Sequence, residues 1–289
     1  MDGPRQRHPR HVAAVKAPDS MQVLDNVFWH ALTKDQSHLS SGNEQARRYA
    51  KGFSPLLGFP DLDRPDFSAI APHCDAGERF YIGGWTGRVP EGWRIDVETV
   101  MCQMVWDAPP PQDAPGDARL LGPEHHTAMH ELAVLTNPGP FGPRTPQLGD
   151  YWGMFEGDRL AAMTGERAHA GAFREVSGVC THPDFRGRGW ARGLVAIVVR
   201  SQLARGQTPF LHVMKANEGA RALYRKPHIV FLDEAFDQLD LAREREITDR
   251  LKTLGIGMVI VSHRPETVRN VDRIVHVGQM PQVLLSAAG

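Results

Sequence analysis

Cysteine is scarce in this 289-residue chain: Cys74, Cys102 and Cys180 are odd in number, far apart and form no CxxC pair. Such spacing indicates neither a disulfide framework nor a zinc ribbon, and it fits a reducing cytoplasm. Long apolar runs are missing too, since no stretch reaches bilayer-spanning length and the N-terminus has no apolar signal core. Charge of one sign is not in excess. Lys and Arg total 33 against 34 Asp and Glu, a net −1, whereas a nucleic-acid binder carries a basic excess concentrated on one face. No Gly-Lys-Ser or Gly-Lys-Thr occurs, which excludes the nucleotide P-loop, and the three-glycine dinucleotide fingerprint is not matched. What remains is ordinary globular composition, 41% hydrophobic and 23% charged, enough for one large or two ordinary cores.

Within it one stretch organises the rest: residues 176–194, VSGVCTHPDFRGRGWARGL. Val176, Val179 and the small residues between them favour an extended segment, which Pro183 and Asp184 end in a turn. Arg186, Gly187, Arg188, Gly189, Trp190 and Ala191 then lead into an apolar helical run through Leu194, Val195, Val198 and Val199. Glycines let backbone N–H groups crowd together, and the first turn of a helix offers unpaired donors and partial positive charge. Two arginines can reach an anion from the rim. This is a phosphate cradle, although so short a motif taken alone also fits an Arg/Gly surface turn.

The loop 186–191 resembles the Arg/Gln-x-x-Gly-x-Gly/Ala pyrophosphate loop of the GNAT acyltransferases. Its context does as well. LTNPGPFGPRT (135–145) and EVSGVCTHP (175–183) are similar to stretches of the FR47-like branch, and Asn217, Ala220, Leu223 and Tyr224 fit the family's Asn-x-x-Ala-x-x-Leu-Tyr helix. The resemblance implies an α/β (α+β) fold with a GNAT-type mixed central sheet, in which two parallel strands splay and the thioester arm of acyl-CoA lies in the wedge. It implies acetyl-CoA, or another acyl-CoA, as co-substrate. The main chain around Val179, Cys180 and Thr181 would pair with pantetheine, and backbone N–H groups from Arg186, Gly187, Arg188, Gly189, Trp190 and Ala191 would hold the pyrophosphate. Asn217 would cap the final helix and contact pantetheine, capping being an adequate account by itself. Tyr224 matches the tyrosine that can protonate the leaving thiolate, or it is a core-facing aromatic.

In chain order, residues 1–20, rich in Arg, His and Pro, are expected as a disordered leader. Residues 21–107 read as a small α/β lobe, with a helix over 23–32, a second over 43–49, and strands at 79–82 and 97–105. Its counterpart in FR47-like proteins is a degenerate acyltransferase-like half. Residues 108–118, proline-rich and acidic, read as a linker. The acyl-CoA-binding domain, 119–225, opens with a helix over 123–135 that carries His125, His126 and His130. His126 and His130 have metal-ligand spacing, but no glutamate stands between them and no third ligand is evident, so no metal is expected. In the family the Pro/Gly loop 138–146 lies near the acceptor site, which makes Phe141 and Arg144 candidate substrate contacts; a surface loop with one buried Phe is the other reading. A hairpin turning at Glu156, Gly157 and Asp158 joins strands at 151–155 and 159–165, and residues 208–214 form a further apolar strand.

Acyl transfer from a thioester to an amine needs the pyrophosphate anchored, the carbonyl polarised, the amine deprotonated and the thiolate protonated. Glu175 is the candidate base, with Glu166 its rival, and either also reads as a solvated strand-end carboxylate. A covalent intermediate on Cys180 is not expected, because direct attack is the superfamily's usual route and no neighbouring cation clearly lowers the thiol pKa. His182 reads as a turn residue. The expected acceptor is a small-molecule or peptide amine.

After Arg225 the chain departs from the family, whose two closing strands are missing. Residues 226–289 resemble instead the C-terminal part of an ABC-transporter ATPase of the peptide or bacteriocin export type. Asp233 and Glu234 fit the Walker B pair, Asp240 the D-loop and His263 the switch histidine. With the phosphate loop, the Q-loop and the signature sequence absent, this is a vestigial nucleotide site in a partial P-loop-type α/β fragment, and no ATPase activity is expected. Contact with a transporter subunit is not expected either. The join at 224–227 reads as a gene fusion, deletion or misassembly of two truncated reading frames, the alternative being a natural fusion whose ATPase strands replace the lost closing strands. The function readings are an acyltransferase, an inactive fusion product or CoA-binding remnant, and an ABC ATP-binding protein, which the absent P-loop opposes.

Overall fold

The computed structural model describes residues 18–112, 116–224, 229–233, 242–245, 247–248, 257–261 and 280–287. Most of the expected leader lies outside them. The first lobe opens with a 3-10 segment, Pro18–Asn26, that runs into α1, Val27–Thr33, whose buried face is Val27, Phe28, Ala31 and Leu32. These apolar positions recur at helical spacing, and the helix forms to bury them.

The helix expected over 43–49 is a hairpin. The Asn43 side chain accepts the N–H groups of Gln45 (2.9 Å) and Ala46 (3.1 Å), and Asn43 N–H donates to Ala46 O at 2.8 Å. This tight turn joins β1 (Ser40–Gly42) to β2 (Arg47–Tyr49) as an antiparallel pair. The helix-favouring run around Glu44 and Arg47 loses to a local side-chain turn and to burial of Arg48 and Tyr49. Arg48 is held there by a two-point ion pair with Glu78. β3 (Leu56–Gly58), α2 (Phe67–Ile70), β4 (Arg79–Gly83) and β5 (Trp93–Val105) complete this lobe around Phe59, Phe67, Phe80, Trp85 and Trp93.

Beyond 108–118 come β6 (Arg119–Leu120), α3 (His126–Thr136), β7 (Tyr151–Glu156), β8 (Arg159–Ala170), β9 (Phe173–Thr181), α4 (Trp190–Ala204), β10 (Thr208–Met214) and α5 (Glu218–Tyr224). In the tail, β11 (Ile229–Asp233) and β12 (Gly257–Val261) form a separate parallel pair, and β13 (Met280–Ala287) follows.

Eleven strands make one mixed sheet in the order β1-β2-β3-β4-β13-β5-β10-β9-β8-β7-β6. β10 pairs antiparallel with β5 from Phe210↔Val105 to Met214↔Met101, and β13 lies antiparallel between β4 and β5. The flank of β10 is therefore covered, though by β5 of the first half and not directly by a strand of the tail. The long β5 strand lines it, backed by β13.

Side chains alternate across a strand, so each strand feeds both layers. Phe173 and Phe210 pack with Phe28 and Leu32 of α1, and Met163 and Cys180 pack with Met129 and Leu132 of α3. On the opposite face Val176, Leu211 and Val213 meet Val195, Val198 and Val199 of α4. Each of those valines contributes about 1.5–3 kcal/mol by leaving water, which fixes α4 against β8 and β9 and so aims its N-terminus.

Candidate functional site

The site begins where two parallel strands part. β9 and β10 pair only through Thr208↔Phe173, Pro209↔Arg174 and Phe210↔Glu175. Beyond Glu175 they diverge, so residues 176–181 of β9 present their backbone on that side to a wedge. At Gly178 the strand takes a left-handed φ of +63°, and the β8–β9 register shifts across it, between Met163↔Cys180 and Gly165↔Ser177, and again between Glu166↔Val176 and His169↔Arg174. Such a bulge re-aims backbone groups.

β9 ends in the basic loop. The His182 Nδ1 accepts the Asp184 N–H at 3.2 Å, which forms the tight turn after the strand. Gly187 and Gly189 both adopt left-handed φ, +81° and +76°, and Gly189 is the N-cap of α4. A Cβ added at either glycine would meet nothing within 4 Å, so the loop faces open space. No acidic residue occupies the first turn of α4. Arg188 donates to Glu156 at 3.0 Å and stacks over Phe185 and Trp190, whereas the exposed Arg186 guanidinium has no partner among the described residues. Unpaired N–H groups, an unpaired guanidinium and clearance above both glycines suit an extended diphosphate.

Below the fork lies a buried charge network. Arg167 donates to both oxygens of Glu175 (2.9 and 2.6 Å), the Ala168 N–H reaches the same carboxylate at 3.2 Å, and His212 Nδ1 lies 2.8 Å from Oε1. The Gln103 amide donates to Leu24 O and sits 3.0 Å from His212 Nε2, partners that assign the Nδ1–H tautomer. Burial alone would raise the Glu175 carboxyl, but the Arg167 charge and hydrogen bonds, with the hydrogen bond from His212, hold it well below the usual carboxylate range. Glu166 is equally enclosed, by Arg174 (2.9 Å), Gln202 (3.0 Å) and Arg205. Both carboxylates expected as candidate bases are thus buried ion-pair partners, and neither is a solvated strand-end group. Burial pushes the Cys180 thiol up to about 12, which leaves it inert as a nucleophile.

The loop 138–146 folds over this region, and its two expected contacts part company. Phe141 packs edge-on against Tyr151 with ring centroids 5.8 Å apart, beside Gly178. Arg144 turns away, its guanidinium over the Phe53 ring at 4.2 Å and its N–H on Gly52 O at 2.7 Å. Asn217 caps α5, accepting the Ala220 N–H at 3.0 Å. Tyr224 ends α5, but its side chain lies outside the described residues, as do Glu234, Asp240 and His263; Asp233 closes β11. Among the described residues no group of three or more His, Cys, Asp and Glu is placed to hold a metal.

One residue escaped the sequence reading. Tyr151 lies flat over Gly165 of β8, where a Cβ would overlap its ring, and reaches Gly178 of β9. Its hydroxyl is buried and has no hydrogen-bond partner among the described residues. The two glycines were the available signal, but strand glycines announce close approach without naming what approaches.

Comparison with known proteins agrees with this geometry. Residues 151–228 match the family described as FR47-like protein. A solved structure from Novosphingobium aromaticivorans, assigned to the acetyltransferases of the GNAT family, is similar over 92% of this chain and 99% of its own, at 26% identity and a TM-score of 0.66. Separately, 58 residues are 50% identical to a microcin secretion/processing ATP-binding protein of Escherichia coli, and 58 are 47% identical to the colicin V secretion/processing ATP-binding protein of the same organism. The chain spans only 8% of the length of each of these two relatives. The chain therefore has a GNAT-type mixed α/β fold, its β7 to α5 segment matches the FR47-like family, and it also carries a short stretch similar to ABC-type export ATPases.

Proposed function

We propose that the chain is an acyl-CoA-dependent N-acyltransferase that moves an acetyl or other acyl group directly onto an amine. The observation that carries this reading is the coincidence of the β9–β10 fork with an open Arg/Gly loop that starts α4 on the same strand. The backbone N–H groups of Gly187 to Ala191, with the Arg186 side chain, bind the pyrophosphate; the Arg186 N–H, expected among them, is given to Pro183 O instead. The main chain of Val179, Cys180 and Thr181 pairs with the pantetheine arm as an added strand, with Asn217 at its flank. The acceptor enters from the Phe141 side. Because Glu175 and Glu166 are enclosed, the amine's proton leaves to solvent in this reading, and Glu175 serves to hold the fork. The thioester supplies the activated acyl group, and the protein supplies placement.

No helix among the described residues is long and apolar enough to cross a membrane. We place the protein in a reducing cytoplasm, in keeping with its three free cysteines. The ABC-like tail turns over no ATP in this reading, since no Gly-Lys-Ser or Gly-Lys-Thr is present to cradle the β and γ phosphates.

Titration with acetyl-CoA tests the assignment. Wild type should bind saturably, and Gly187→Asp or Gly189→Asp should weaken binding at least tenfold, because each puts a carboxylate on a left-handed backbone inside the cradle. Equal affinity in these variants would overturn the assignment.

A further inference from the structure

Tyr151 is the least explained side chain in the core. A buried hydroxyl almost always finds a partner, and leaving one without costs about 1–3 kcal/mol. Yet the structure spends two glycines on bringing this one to where it is. Gly165 has no left-handed φ to account for it; it clears the floor for the Tyr151 ring. At Gly178 an added Cβ would lie 2.9 Å from Tyr151 Cε1, 3.3 Å from Phe141 Cε2 and 3.4 Å from the hydroxyl oxygen. The ring therefore crosses β8 and points its oxygen at the bulge of β9, three residues beyond the last paired position at Glu175.

The direction of the strand says what arrives there. A diphosphate on loop 186–191 fixes one end of the ligand, and an arm paired along 181, 180 and 179 runs back toward Gly178 with its thioester leading. We propose that the Tyr151 hydroxyl is the donor that binds the carbonyl oxygen of the acyl thioester. This rests on the acyl-CoA reading above.

The group is suited to that task. Burial pushes the phenol far above its ordinary value, so it remains an O–H donor at any working pH. No carboxylate competes for it, since Glu175 is taken by Arg167, Ala168 and His212. In the transfer the amine nitrogen bonds to the carbonyl carbon, the C–S bond breaks with its electron pair leaving on sulfur, and the nitrogen gives up one proton while the thiolate takes one up. Tyr151 keeps its proton throughout and stabilises the negative charge that builds on oxygen.

The test compares wild type with Tyr151→Phe, which keeps the ring and deletes only the hydroxyl. Calorimetric titration should give the same acetyl-CoA affinity within about twofold, because the binding energy comes mainly from the pyrophosphate and pantetheine. Difference infrared spectra with acetyl-CoA labelled with 13C at the thioester carbonyl should show the stretch moved to lower frequency on the wild type and returned toward its free position on the variant. The melting temperature of the variant should hold or rise, since no native hydrogen bond is lost. With any amine that the wild type acetylates, kcat should fall roughly 100-fold at unchanged KM for acetyl-CoA. Equal carbonyl frequencies in two bound complexes overturn the role of Tyr151 and leave the acyl-CoA reading standing. Failure of both proteins to bind acetyl-CoA overturns both.

Discussion

Glu175 is fully buried and ionised, and Arg167 is the partner that makes this tolerable. Removing one member of such a pair leaves a stranded charge, which typically costs about 3–5 kcal/mol. Arg167→Met should therefore lower the free energy of urea unfolding by that order, and Arg167→Met with Glu175→Leu should recover much of the loss. The same pair ties stability to pH. The folded-state carboxyl is depressed, so its contribution is present above the unfolded glutamate value of about 4.3 and is lost as pH falls below it. Urea midpoints measured from pH 6 to pH 3 should drop more steeply for wild type than for Glu175→Gln, in which this titration is absent. Steric rather than electrostatic logic governs Gly165. Gly165→Ala should destabilise by about 1–3 kcal/mol through collision with the Tyr151 ring, and Gly165→Ala made on a Tyr151→Ala background should cost far less. A double-mutant cycle with no coupling would show that the ring does not occupy that furrow.

Strand, basic loop and helix at 173–204 were readable in advance, because β-branched residues, a Pro-Asp turn, paired glycines and a helical apolar stripe all lie within one short segment. The hairpin from β7 to β8 was readable for the same local reason. The β1–β2 hairpin was not, since its residues favour helix and only the Asn43 turn and the cavity awaiting Tyr49 decide otherwise. The site divides along the same line. The Arg/Gly loop is a local pattern, while the pairing of Arg167 with Glu175 and His212, the position of Tyr151 and the turning away of Arg144 depend on strands brought together from distant parts of the chain. At this scale Asn217→Ala should cost about 1 kcal/mol of stability through loss of the α5 cap, as read in chemical denaturation. A larger drop in acetyl-CoA affinity than in stability would add a ligand contact to its role.

Across the whole molecule the sheet is closed by borrowed strands. β10 draws β5 from the first lobe, and β5 is backed by β13 from the tail, so residues 280–287 are interior to the sheet although they lie near the end of the ATPase-like stretch. Leu284 stands opposite both Tyr81 of β4 and Val97 of β5. Leu284→Pro removes a ladder donor from a strand flanked on both sides and should cost about 3 kcal/mol, with faster hydrogen exchange in β4 and β5 than in β7 and β8. Uniform loosening of all four strands would mean that the sheet unfolds as one cooperative unit. That arrangement also bears on biogenesis. The two edges that β13 joins are complete long before β13 leaves the ribosome, and until then each exposes a row of unpaired N–H and C=O groups. Nascent chains should thus depend on a chaperone at this seam, and fragments ending before it should tend to associate edge to edge.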